Sequence, residues 1–215
     1  YKKVFDMCVE KELQKDCAPV VMGSEGREEQ TLKSDQDNAL IIRDGVDAKL
    51  YEEPMMKLNS FLLELGFPKC PGNIMVSNEF WRRNESGYKK LIAGWAQSMS
   101  DDDVQNLSIF LDAKCVAGDE KLLSSLISHL QQHFHQRDDV LAHIAKAVLN
   151  FETPLSMFSG FVLEKEQQDR LDLKKGGLFA LVHGVRTLCL KYEITQTNTI
   201  ERIKELNNKG IIDKN

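Results

Sequence analysis

The hydrophobic pattern of the chain changes character near residue 118. Before it, short apolar runs are separated by turn residues. Val20-Val21-Met22 and Ala39-Leu40-Ile41-Ile42 are each long enough for a buried strand, with Gly23-Ser24 closing the first and Asp35-Gln36-Asp37 opening the second. Residues 107–116 have the same strand-like character, interrupted by Asp112. Helical spacing places Val4, Phe5, Cys8, Val9 and Leu13 on one face over residues 2–15. It also sets Leu50, Met55, Leu58, Phe61, Leu62 and Leu65 on the inner side of a helix over 47–65 that Gly66 ends. A further helix is expected over 87–97, and Asp101, Asp102 and Asp103 read as the charged cap of the next one. Beyond Gly118 the period is helical over 120–136, 140–151, 154–166, 171–192 and 199–207, and Asn198 with Glu201 forms a capping pattern. The pattern predicts an α/β (α+β) unit with a small mixed sheet over residues 1–118, then an all-α helical bundle over 119–215.

Candidate chemistry gathers at the joint between the first two strands. Side chains alternate across a strand, so Asp35 and Asp37 project from one face, where their carboxylates repel unless a cation lies between them. A hard divalent ion such as Mg²⁺ is the simplest answer. Gly23 lets the backbone approach a ligand closely, and the N–H groups of the turn with the Ser24 hydroxyl can face phosphate oxygens. Arg27 has two readings, a bidentate phosphate partner or an ion pair with a neighbouring glutamate. The aspartates also fit a plain turn before a strand. A calcium loop is excluded, because Ala39 and Leu40 stand where it needs an oxygen ligand and a glycine. Neither GxxxxGK nor GxGxxG occurs at this joint. Asp112, a charge in an apolar run, needs a metal, a basic partner such as Lys114, or an exposed strand end. Asn78 could border a pocket, and Trp81 could stack on a base or simply pack. His129 and His133 share a helix face, but without an HExxH glutamate they read as surface residues. Lys174, Lys175 and Arg186 either face a triphosphate or are solvated helix charges.

The segments GSEGREEQ from Gly23 and SDQDNALI from Ser34 resemble the signature of the signal-transduction nucleotidyltransferases related to the nitrogen-regulatory uridylyltransferase. These belong to the DNA polymerase beta superfamily. CPGNIMVSNEFW from Cys70, IFLDAKCVAGD from Ile109, DLKKGG from Asp172 and HGVRTLCL from His183 fit the same family, so the resemblance covers nearly the whole chain. It implies transfer of a nucleoside monophosphate from a nucleoside triphosphate to a hydroxyl of a protein or small-molecule acceptor. It further implies Asp35, Asp37 and Asp112 as catalytic carboxylates holding Mg²⁺, or Mn²⁺ in its place. Gly23, Ser24, Arg27, Gln30, Asn78 and Lys174 would contact the nucleotide, the helical domain would bind substrate, and cyclic-nucleotide-binding or CBS domains would lie upstream. Gln36 departs from the apolar residue that the superfamily places between its two aspartates. A nucleotide-sensing regulatory module with little turnover is the alternative.

Composition narrows the partners. A net charge of -5 does not suit a surface that follows long nucleic acid, which rests on clustered Lys and Arg. The 215 residues, 42% hydrophobic, suffice for a proper core. Five scattered cysteines without CxxC spacing suggest reduced thiols and a cytoplasmic protein. No apolar run approaches membrane-spanning length.

Overall fold

The structure is a computed structural model and describes residues 1–31, 34–134, 137–146 and 177–213. Its order is α1 (Lys2–Cys8), α2 (Lys11–Gln14), β1 (Cys17–Val21), α3 (Gly23–Gly26), β2 (Asn38–Ile42), α4 (Glu52–Glu64), β3 (Arg82–Asn84), α5 (Glu85–Ser98), α6 (Asp101–Phe110), β4 (Lys114–Cys115), α7 (Glu120–Phe134), α8 (Asp138–Lys146), α9 (Phe179–Lys191) and α10 (Thr199–Asn208). The four strands form one mixed sheet in the order β3-β2-β1-β4. β1 runs antiparallel to β2, with Val20 opposite Ala39, and antiparallel to β4, while β2 and β3 are parallel.

Both central strands are fully buried, and their alternation sorts the core into two layers. Ala18, Val20, Ala39 and Ile41 face Trp95 of α5, Leu107 and Phe110 of α6, and Leu126 of α7. Cys17, Leu40 and Ile42 face Phe5 of α1 and Met55, Leu58 and Leu62 of α4. The first layer continues across residue 118, since Leu122 and Leu130 of α7, Ile144 of α8 and Leu190 of α9 belong to it. Val185, Cys189, Ile194 and Leu206 make a smaller cluster joining α9 to α10.

Several expectations change. Residues 2–15 form two helices, because Val9 is extended and breaks the spiral. Leu50 and Leu65 are about half exposed, lying outside the buried stripe of Met55, Leu58 and Leu62. Residues 107–116 are not a strand. Ser100 and Asp103 make a reciprocal capping box, which starts a helix whose Val104, Leu107 and Phe110 are buried at helical spacing, leaving β4 only Lys114–Cys115. The expected helix over 154–166, with Lys174 and Lys175, lies outside the described residues. Among the described residues no helix is long and apolar enough to cross a membrane.

Candidate active site

The turn after β1 is tight at two glycines. Gly23 has φ +57°, and a Cβ there would sit 2.6 Å from Asp37 Oδ2. A Cβ on Gly26 would lie 2.0 Å from the Asp112 carbonyl oxygen, so no side chain fits. Ser24 Oγ is 3.3 Å from Ser34 Oγ, which also accepts a bond from Gln30 Nε2 at 2.6 Å. This short chain ties Ser24 and Gln30 to the start of the aspartate segment.

That segment keeps strand alternation before β2 begins. Met22 N–H donates to the Asp37 carbonyl at 2.8 Å, continuing the pairing of the two central strands. Asp35 and Asp37 fall on one side and Gln36 on the other. Gln36, only 2% exposed, donates to the Phe67 carbonyl at 3.0 Å and accepts from Asn59 Nδ2 of α4 at 2.7 Å. The residue that departs from the superfamily pattern is therefore a polar anchor. It fixes the backbone from which both aspartates project.

The ligand atoms of Asp35, Asp37 and Cys70 all lie within 4.8 Å of one another. Two carboxylates and a thiol at this spacing, with Gly23 leaving room above Asp37, fit a divalent cation. Burial, with Asp37 adding to it, pushes the Glu25 carboxyl above the usual carboxylate range. Burial, together with Asp37, likewise pushes the Cys70 thiol up to about 11. Cys70 was legible only as part of a turn-rich loop, because nothing near it in sequence ties it to residues 35–37.

Asp112 is not brought to this cluster. It follows α6, is wholly buried, and is bound by three arginines. Arg186 of α9 makes a bidentate pair with it, one bond being Nε to Oδ1 at 3.1 Å. Arg202 of α10 donates to Oδ1 at 2.8 Å, and Arg27 Nη1 to Oδ2 at 2.6 Å. Burial alone would raise this carboxyl, but Arg186, Arg202 and Arg27 outweigh it and hold Asp112 below the usual range. The expected third metal carboxylate is thus already neutralised. Arg27 is committed too, its Nε donating to Glu29 at 2.7 Å. The ion-pair reading of Arg27 describes the structure, although the pairing is largely buried. Glu29 in turn accepts from Thr199 N–H at 2.6 Å, and Asn198 Nδ2 donates to the Arg27 carbonyl at 2.9 Å while its oxygen caps α10. Arg202 and these cap contacts were not visible in the sequence, since they join positions more than 80 residues apart.

The remaining sequence candidates are engaged locally. Asn78 caps a short 3₁₀ turn through Phe80 N–H and donates to the Asn73 carbonyl. Trp81 is 2% exposed and packs edge-on against Phe80, with Trp95 behind it, so it offers no face to a base. His129 reaches the Lys89 carbonyl and stacks edge-on with His133.

A Gly-Ser turn and an Asp-x-Asp pair at adjacent strands of a small mixed sheet are the layout of a nucleotidyltransferase, an enzyme that acts on a nucleoside triphosphate. Residues 1–102 match the family described as "Putative nucleotidyltransferase DUF294". Residues 138–215 match "Putative nucleotidyltransferase substrate binding domain". Together the two matches span most of the chain, and the protein belongs to this nucleotidyltransferase family. No curated protein matches the chain. Enzymes of this kind generally use divalent metals.

Proposed function

We propose that the protein transfers a nucleoside monophosphate from a nucleoside triphosphate to an acceptor hydroxyl, releasing pyrophosphate, in a signal-transduction role. The observation that carries the proposal is the convergence of Asp35 and Asp37 beside the Gly23-Ser24 turn. Asp35 and Asp37 would hold Mg²⁺, or Mn²⁺ in its place, which when bound neutralises phosphate charge and orients the reacting oxygens. The backbone N–H groups at Gly23 and Ser24, with the Ser24 hydroxyl set by Ser34 and Gln30, would hold phosphate oxygens. Gln36 and Asn59 keep the two carboxylates in place, so little reorganisation is needed when the triphosphate arrives. Arg27 serves by holding the turn to Asp112. The acceptor, a protein or a small molecule, would be held by the C-terminal helices, with regulation from cyclic-nucleotide-binding or CBS domains upstream.

A second reading is favoured by one observation: the buried arginine partners of Asp112 leave the cluster with two carboxylates and a thiol. A nucleotide-sensing module with little turnover would need no more. The two readings separate on incubation of the protein with labelled nucleoside triphosphates, Mg²⁺ and cell extract. Transfer of label to protein or metabolite that Asp37→Asn abolishes supports the enzyme. Triphosphate binding without transfer supports the sensor.

A further inference from the structure

The following rests on Asp35 and Asp37 being metal ligands. We propose that Cys70 Sγ is a third ligand of the same centre, and that the site therefore binds thiophilic divalent ions more tightly than Mg²⁺. The geometry is the first support. Ligand atoms about 2.0 to 2.3 Å from one ion stand roughly 3.5 Å apart in a tetrahedral site, so three atoms mutually within 4.8 Å need only a small closing movement.

The loop bearing Cys70 is also fixed to the aspartate segment on both sides of the cysteine. Gln36 N–H donates to the Pro68 carbonyl at 2.9 Å, and Asn38 N–H donates to the Ile74 carbonyl at 3.0 Å. Asn38 Oδ1 accepts from Val76 N–H at 2.8 Å. These bonds flank residues 35–37 and hold the thiol against them. Cys70 is 8% exposed, so its sulfur is held inside this loop rather than turned out to solvent. On binding, the S–H bond breaks, sulfur donates its electron pair to the ion, and the proton passes to solvent. Thiolate is a soft ligand, and Mg²⁺ prefers oxygen, so the mixed set shifts preference toward ions such as Co²⁺, Zn²⁺ and Cd²⁺. Among the described residues this is the only cluster of its kind, and the other four cysteines lie outside it.

Titration of the whole chain with Co²⁺ under reducing conditions tests the assignment. A thiolate-to-cobalt charge-transfer band should grow in the near ultraviolet, persist in Cys115→Ser, and vanish in both Cys70→Ser and Cys70→Ala. Cd²⁺ affinity should fall on the order of tenfold or more in the Cys70 variants, with Mg²⁺ affinity changing far less. Cobalt binding to the wild type without that band, or a band that survives both Cys70 substitutions, overturns the thiol assignment while leaving the two aspartates as ligands. Binding of Mg²⁺ and Co²⁺ unaffected by Asp37→Asn overturns the metal site itself.

Discussion

Asp37 and Asp112 look alike in the sequence, each an aspartate against an apolar run, yet the structure puts them to opposite uses. Asp37 stands with a second carboxylate and a thiol beside a glycine turn. Asp112 stands among three guanidinium groups drawn from the turn after β1 and from α9 and α10. Acidic groups gathered together store repulsion that a cation relieves. A carboxylate ringed by arginines has its counter-charges built in and acts as a joint between chain segments. The difference teaches that a buried charge is identified by what surrounds it. It also shows how the C-terminal helices hold the turn after β1: Arg186 and Arg202 reach Asp112, and the α10 cap reaches Arg27 and Glu29.

Removing the joint should be the most damaging change. Asp112→Asn deletes the charge shared by Arg27 and the buried Arg186 and Arg202, and breaking such a cluster costs about 3–5 kcal/mol. Urea denaturation should show a loss of that order, and an unchanged midpoint would mean that Asp112 is not a structural centre. Next in size is Gln36→Leu, which restores the apolar residue of the wider superfamily but removes the bonds to Asn59 and to the Phe67 carbonyl. Loss of buried hydrogen bonding of this kind costs about 1–3 kcal/mol. If the variant were as stable as wild type, Gln36 would not anchor the aspartate segment.

Acid should weaken the same joint. Burial foremost, with Arg186 adding to it, holds His183 below the usual imidazole range, and its Nε2 donates to the Ile144 carbonyl at 2.8 Å. Because the folded pKa is depressed, the unfolded chain binds the proton first as pH falls. Stability is then full above the ordinary imidazole value and is lost on descent through the lower folded value, at up to about 1.4 kcal/mol per pH unit. Asp112, also depressed, continues the loss below the ordinary carboxylate value. Melting temperatures from neutral to mildly acidic pH should fall for wild type and fall less for His183→Gln.

The smallest stability effect belongs to the cluster. Asp37→Asn is nearly isosteric and removes one of two neighbouring carboxylates, so the denaturation midpoint should shift by no more than about 0.5 kcal/mol. A loss like that of Asp112→Asn would erase the contrast between the two aspartates.

Much of this architecture is legible in the sequence. Alternation placed Asp35 and Asp37 on one face, the apolar runs located β1 and β2, and Gly23-Ser24 marked the turn. Helical spacing located α4, α5, α7 and α10. The reading failed where one pattern supports two structures. The apolar residues at 107, 110 and 111 suit a strand as well as a helix, and the capping box of Ser100 with Asp103, although recognised as a cap, decides for the helix. It failed also where partners are distant. Nothing local shows that Arg186 and Arg202 converge on Asp112, that Cys70 approaches Asp37, or that Trp81 turns inward against Trp95. These are consequences of packing, and sequence spacing does not encode them.

The central claim is that Asp35 and Asp37 form a centre for nucleotidyl transfer, and pyrophosphate release tests it most directly. Binding alone does not, since magnesium triphosphate at a hundredfold excess over its dissociation constant would stabilise either an enzyme or a sensor by about 2.7 kcal/mol. Wild-type protein with Mg²⁺, nucleoside triphosphates and fractionated cell extract should release pyrophosphate in at least one fraction, and Asp37→Asn, folded to the same stability, should lose that release by orders of magnitude. Release undiminished in Asp37→Asn, or a triphosphate-dependent melting shift with no release in any fraction, would contradict it.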